Sequence, residues 1–116
     1  MKKLLAKLCT AAALWLCQPA FAAGDGDCHF HGGQPATQET VSGCAVKYQL
    51  SLIEGGKIDK SWQAIKPASF DRIDGQRGKE WKVTFKNPAV ADKSKDTLYM
   101  FFTAQGNLIA ANFVGK

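Results

Sequence analysis

The sequence has few of the residues that carry most enzyme chemistry. Only two histidines occur in 116 residues, His29 and His31, and they stand one residue apart. A Ser-His-Asp or Cys-His arrangement needs a base that its surroundings hold in place, and both histidines fall in a glycine-rich segment. The chain also has no Cys-x-x-Cys, no paired-carboxylate signature and no phosphate-binding glycine loop. We therefore expect that the protein is not an enzyme.

Long hydrophobic runs are missing after residue 22. The one apolar run spans Leu4 to Leu16, follows lysines at the amino terminus and leads to Ala20-Phe21-Ala22. A positive start, a short apolar stretch and a small-x-small site are typical of a cleavable secretory signal. The run is shorter than the ~20 apolar residues that a membrane-spanning helix needs. We expect residues 1–22 to be removed, no membrane anchor to remain, and the mature protein to be periplasmic.

The excess of positive charge is small once this leader is set aside. The whole chain carries a net charge of +5, and removal of three leader lysines leaves 12 basic against 10 acidic residues. Lys79, Lys82 and Lys86 alternate with apolar residues, as on the solvent side of a strand. No basic patch with interleaved aromatic residues remains. We expect no nucleic-acid partner.

Only two of the four cysteines, Cys28 and Cys44, lie outside the leader. In an oxidising compartment such a pair is typical of a disulfide. A bridge across this spacing would stabilise the fold by roughly 3 kcal/mol on the chain-entropy model. In the other interpretation Cys44 is a small buried apolar residue and Cys28 a free thiol. The sequence leaves both interpretations open.

The histidine pair lies next to Cys28 and suggests a metal site. Residues i and i+2 of an extended backbone project to the same side, so His29 and His31 could hold one ion. Cys28, Asp25 and Asp27 lie within reach as further ligands. Imidazole with thiolate suits Zn²⁺ or copper. A disulfide would remove the thiolate, and a disordered tail would have to be ordered, so a solvated tail is the alternative.

The mature chain divides into a tail and one domain. Residues 23–36 contain four glycines and no apolar periodicity, which predicts a flexible tail. Residues 37–116 form the domain. The spacing predicts a helix over residues 37–54 with Thr37 as N-cap and Gly55-Gly56 as its end. Its apolar face consists of Val41, Cys44, Ala45, Tyr48 and Leu52.

The rest of the domain has the pattern of a connector and a sheet. Residues 57–67 predict one helical turn capped by Asp59. Strands are predicted over residues 68–73, 80–86, 97–103 and 108–114. The third is apolar on both faces, which favours a central position. These elements predict an α+β fold, with one N-terminal amphipathic helix packed on a three- to four-stranded antiparallel meander.

Two aromatic side chains have no obvious place in this core. Tyr99 and Phe101 lie on the opposite strand face from Leu98, Met100 and Phe102. Aromatic residues at such spacing usually belong to a core. However, a helix that covers only one face of the sheet would leave Tyr99 and Phe101 half exposed. Such a patch would be a partner site or a dimer surface.

Four blocks of the sequence resemble a known family. They are GKIDKSW, EWKVTFKN, DTLYMFF and GNLIAANFVG, in this order within residues 37–115. The family consists of small exported bacterial proteins and is known as a domain of unknown function. Its members often carry a histidine-rich run after the leader, which is reduced here to Cys28-His29-Phe30-His31. The layout of helix and meander is also similar to PepSY-type domains.

The resemblance implies a fold and an exported location but no chemistry. Together with the histidine pair, it leads us to expect a small non-enzymatic periplasmic binding or accessory protein, linked to metal handling through its N-terminal Cys/His tail. The alternative is a PepSY-like interaction module that modulates an exported protease or another envelope protein. The sequence does not indicate an oligomeric state.

Overall fold

The helix forms where the apolar spacing places it. In the computed structural model, which describes residues 28–116, helix α1 spans Gln38–Glu54. Its N-cap is Thr37, whose Oγ1 accepts a hydrogen bond of 3.2 Å from the N–H of Thr40. This bond satisfies one of the free amides at the helix start. The predicted leader, residues 1–22, and the predicted ligands Asp25 and Asp27 lie outside the described residues.

The helix ends at the glycine pair, as predicted. The N–H of Gly56 donates to Ile53 O at 3.0 Å, and the N–H of Lys57 donates to Leu52 O at 2.8 Å. These are the two bonds of a Schellman motif, which requires a left-handed residue just after the cap. Gly56 supplies it with φ of +73°. No helix within residues 28–116 has the length and apolar character needed to cross a membrane.

Four strands form one antiparallel meander in the order β1-β2-β3-β4. They span Ser69–Gly75 (β1), Gly78–Lys86 (β2), Thr97–Thr103 (β3) and Leu108–Asn112 (β4). The predicted α+β layout of one helix on an antiparallel sheet is thus confirmed, with β3 in a central position. β1 and β2 are longer than predicted because pairing continues to Gly75 and Gly78, across a two-residue turn. β4 is two residues shorter than predicted.

The core lies between α1 and one face of the sheet. From the helix it takes Val41, Cys44 and Ala45, which are almost fully buried. Alternate residues of the two central strands supply the opposing side chains, because their period of two places them on one face. They are Trp81, Val83, Phe85, Leu98, Met100 and Phe102.

The connector after α1 contains the predicted helical turn, a 3₁₀ helix over Lys60–Ala64. Asp59 caps it, since its Oδ2 accepts a bond of 3.0 Å from the N–H of Ser61. Trp62 on this turn is only 2% exposed. The buried side-chain amide of Gln49 also holds this turn, and the sequence patterns did not predict this contact.

Gln49 links α1 to the connector. Its Nε2 donates to Trp62 O at 2.7 Å and to Ile65 O at 2.8 Å, and its side chain is 1% exposed. A buried carbonyl without a donor is costly, so Gln49 permits the connector to run close to the helix. Trp62 O has a second donor, the N–H of Ile65.

Replacing Gln49 by leucine should lower the free energy of unfolding by about 1–3 kcal/mol, because Ile65 O loses its buried donor. The measurement is urea unfolding followed by tryptophan fluorescence. Gln38→Leu is the matched control, since Gln38 is an exposed glutamine of the same helix, and it should change stability by less than about 0.5 kcal/mol. Equal losses in both variants would contradict the role of the buried amide.

Candidate functional site

The helix covers one face of the sheet and leaves the other without a covering helix or strand among residues 28–116. We call this second face, which carries Lys82, Tyr99 and Phe101, the open face. The register places Lys82 opposite Phe101 and Thr84 opposite Tyr99, and directly opposed residues share a face. Leu98, Met100 and Phe102 belong to the core on the other side. The predicted separation of the β3 aromatic residues onto two faces is therefore confirmed.

The two aromatic residues of the open face differ in exposure. Tyr99 is half-buried, as expected, but Phe101 is only 6% exposed, so the expected half-exposure of Phe101 is wrong. Phe101 lies between Lys82 on β2 and Ala110 on β4. The ammonium of Lys82 lies 4.9 Å from the centroid of the Tyr99 ring and 5.9 Å from that of Phe101. The charge of the lysine thus lies over both rings.

Residues 113–116 fold back over Tyr99. Asn112 directs this turn, because its Oδ1 accepts bonds from the N–H groups of Val114 and Gly115 at 3.0 and 2.8 Å. Its Nδ2 donates to Lys116 O at 2.9 Å. A Cβ on Gly115 would lie 3.3 Å from the Tyr99 ring, so the backbone itself packs on the aromatic face. These bonds also explain why β4 ends at Asn112.

A groove lies beside Phe101 on the open face. It is open to solvent and has a volume of about 770 Å³, within the range of about 300–1,000 Å³ that is usual for ligand sites. Its apolar part is formed by Ile73, Phe101, Ile109 and Ala110. The β1–β2 turn borders it on one side, and the β3–β4 turn and residues 115–116 border it elsewhere. The groove is thus an apolar surface within a polar rim.

Ile109 reaches the groove because of a β-bulge. Phe101 pairs with Ala110 and Phe102 pairs with Leu108, so Ile109 is an extra residue on β4. A bulge bends its strand and redirects a side chain. Ile109 is 50% exposed, although simple alternation along β4 would place it on the core face with Ala111, which pairs with Met100. The sequence contains no signal for this bulge, and its contribution to the groove was not predicted.

The rim of the groove is predominantly basic. The rim contains the basic residues Arg77 and Lys116 and the acidic residue Glu80. A further basic residue, Lys79, has its ammonium 2.8 Å from Asp74 Oδ1. The hydrogen bond from Lys79, with its charge, holds the pKa of the Asp74 carboxyl below its ordinary value. The charges of Lys79 and Asp74 therefore neutralise each other, and Arg77 and Lys116 give the rim its positive charge.

Residues 28–36, which we call the strap, are fixed to the domain. Cys28 and Cys44 form a disulfide with a Cα–Cα distance of 5.9 Å, so the disulfide is the correct one of the two interpretations of this pair. The side chain of Asn107 binds the strap backbone twice, accepting from Phe30 N–H at 2.7 Å and donating to Phe30 O at 2.8 Å. The described part of the predicted flexible tail is therefore ordered. Composition alone does not show these cross-links.

The strap also packs against the β3–β4 turn. The N–H of Ala36 donates to Ala104 O at 2.8 Å. Gly106 has φ of +104°, and a Cβ there would lie 3.2 Å from the Phe30 ring. Only glycine combines this backbone angle with so close a ring. Nothing in the sequence indicated that Asn107 would hold the strap.

The strap separates the predicted metal ligands. Cys28 and Phe30 pack against the core, whereas His29 and His31 are exposed. The Cys28 sulfur belongs to the disulfide, so the intact bridge removes it as a thiolate ligand. Within residues 28–116 no group of three or more His, Cys, Asp or Glu side chains is placed to hold a metal. Of the predicted ligands, only His29 and His31 remain as candidates among the described residues.

The model of a family described as a family of unknown function (DUF6488) matches residues 1–116. No curated protein matches the chain, and no solved structure does. The match agrees with the resemblance to a domain of unknown function, and it does not extend to PepSY-type domains.

Removing the disulfide with the double variant Cys28→Ser and Cys44→Ser should lower the free energy of unfolding by roughly 3 kcal/mol, because the unfolded chain regains loop entropy. Chemical denaturation measures this loss. Hydrogen exchange should also become faster at Phe30 and Ala36. Asn107→Ala is the comparison, since it should accelerate exchange at Phe30 while the disulfide stays intact. Unchanged exchange in the strap of the double variant would contradict the proposed anchoring.

Proposed function

We propose that this chain, which belongs to DUF6488, a family of unknown function, is a small non-enzymatic accessory protein of the periplasm that binds another envelope protein through its open face. The observation that carries the proposal is the groove beside Phe101. An apolar surface within a polar rim is typical of an interaction site.

The floor of the groove is well suited to binding. Phe101 is held between two strands and is 6% exposed, whereas the neighbouring Ile109 is 50% exposed. Binding at a fixed floor loses little side-chain entropy, since the side chain is already ordered. Ile109 would contribute most of the newly buried apolar area. A partner with a protruding apolar residue fits this combination.

Charge narrows the kind of partner. Residues 28–116 contain 12 basic and 8 acidic side chains, and the groove rim carries Arg77 and Lys116. Opposite charges around an apolar contact accelerate encounter and help to select the partner. We therefore propose a partner surface with acidic residues around its apolar contact. A PepSY-like module that modulates an exported protease is a narrower form of this proposal, supported by the helix-on-sheet layout alone.

The disulfide and the leader pattern support an exported location. Disulfides persist in oxidising compartments such as the periplasm, and Cys28–Cys44 joins the strap to the core helix. The first 22 residues have the charge and hydrophobicity of a secretory signal. Both features favour an accessory protein of the bacterial envelope.

A photo-crosslinking residue in place of Gln76 tests the main proposal. Gln76 lies on the groove border and is exposed. In living cells this position should give a defined adduct with one envelope protein, and Arg77→Glu should reduce the adduct several-fold by reversing the rim charge. The same crosslinker at Leu50, which is 39% exposed on α1, is the control. Absence of a defined adduct, or equal adducts at both positions, would refute binding through the open face.

A metal site on the strap is the second candidate. His29 and His31 are both exposed, and the neighbouring side chains of Cys28 and Phe30 are anchored to the core. This anchoring reduces the ordering cost that a free tail would incur. Zn²⁺ and Cu²⁺ are the expected ions, since both accept imidazole ligands.

Calorimetric titration of the disulfide-bonded protein with Zn²⁺ and Cu²⁺ should show binding that the double variant His29→Ala and His31→Ala abolishes. The reason is that the two imidazoles are the candidate ligands of the strap. Replacing Gln34, an exposed residue of the strap, by alanine should leave the titration unchanged. Binding that persists without both histidines would exclude this site.

A further inference from the structure

The two outer strands of the sheet differ in charge. β1 carries Asp71, Arg72 and Asp74, whereas residues 108–115, which include all of β4, carry no charged side chain. Charged residues on an outer strand prevent it from pairing with another chain. β4 lacks this protection. Within residues 28–116 its only strand neighbour is β3, on the inner side.

Exposed hydrophobic side chains cluster at the same edge. Three large ones are exposed among the described residues, and two of them, Ile109 at 50% and Val114 at 72%, lie in β4 or just after it. Trp62 and Phe113, whose ring centroids are 6.3 Å apart, hold the chain directly before Val114. The edge of β4 is therefore apolar and uncharged, and the contact between Trp62 and Phe113 fixes the chain at its end.

We infer that β4 pairs antiparallel with β4 of a second copy of this chain. The charge distribution favours this occupant over an acidic or basic peptide, because neither kind of peptide would find an opposite charge along β4. Other surfaces carry a net positive charge, since basic residues outnumber acidic ones by 12 to 8 in residues 28–116. Two copies would repel each other there, but they meet without repulsion at β4. Antiparallel pairing of identical strands is also self-complementary about a two-fold axis.

The size of the edge limits the strength of this dimer. β4 has five residues, and pairing over so short a strand buries less than the roughly 1,200–2,000 Å² of a standard stable interface. We therefore expect a reversible dimer whose population rises with protein concentration.

Pairing at β4 would give one continuous eight-stranded sheet. Because antiparallel neighbours are related by an axis perpendicular to the sheet, both α1 helices lie on one side and both open faces on the other. Ile109 and Ala110, which line the groove, then lie close to the axis, so the two grooves become neighbours. The inference goes beyond the proposed function, and it stands or falls separately from it.

Sedimentation velocity of the purified, disulfide-bonded protein over a concentration series tests the inference. The mean mass should rise towards twice the monomer mass. Ile109→Lys should raise the dimer dissociation constant by about tenfold or more, because like charges on paired strands repel and the apolar contact is lost. Leu50→Lys is the control, since it introduces the same charge at an exposed position of α1, and it should leave the dimer unchanged.

Hydrogen exchange of the unmodified protein provides a second measurement that does not depend on a variant folding. The amides of β4 should become more protected as the protein concentration rises, and those of β1 should not. A monomer at every concentration, or equal weakening by the Ile109 and Leu50 variants, would overturn the inference. So would β4 amides that gain protection only when envelope extract is added. An adduct at Gln76 in a protein that remains monomeric would support the proposed function and reject the dimer.

Discussion

A single helix can cover only one face of a four-stranded sheet, and the rest of this structure depends on that constraint. α1 has 17 residues and buries the side that carries Trp81, Val83 and Met100. The other side has to be shielded by single side chains and a short segment of chain. Lys82 lies over two aromatic rings, and residues 113–116 fold back on Tyr99. Together they cover β3 at Tyr99 and leave an apolar groove beside Phe101.

Side-chain amides replace secondary structure where this small domain has none. Gln49 holds the connector to α1, and Asn87, which is 2% exposed, donates to Ser61 Oγ at 3.0 Å and binds the same connector from the sheet. Asn107 pairs with the Phe30 backbone much as a neighbouring strand would. Gln49 and Asn107 satisfy backbone groups that would otherwise lose hydrogen bonds on burial. A domain of this size buries a smaller fraction of its surface than a larger domain does, so a few such contacts have a large effect.

Local patterns predicted the elements, and tertiary contacts decided what the patterns left open. The ends of α1, the cap at Asp59 and the two faces of β3 followed from spacing and capping rules, because these depend on neighbours in the chain. The burial of Phe101, the role of Asn107 and the bulge at Ile109 depend on residues far away in sequence. The strap shows the same limit. Its composition predicts flexibility, but one disulfide and one asparagine order it.

The disulfide stabilises one end of the candidate site. The strap that it anchors donates from Ala36 N–H to Ala104 O and packs its Phe30 ring on Gly106. Ala104 and its neighbour Gln105 border the groove. Formation of Cys28–Cys44 therefore fixes the β3–β4 turn that closes this end of the groove. A chain without this bridge should keep the same sheet but have a looser groove border, because the strap would lose its covalent attachment to α1.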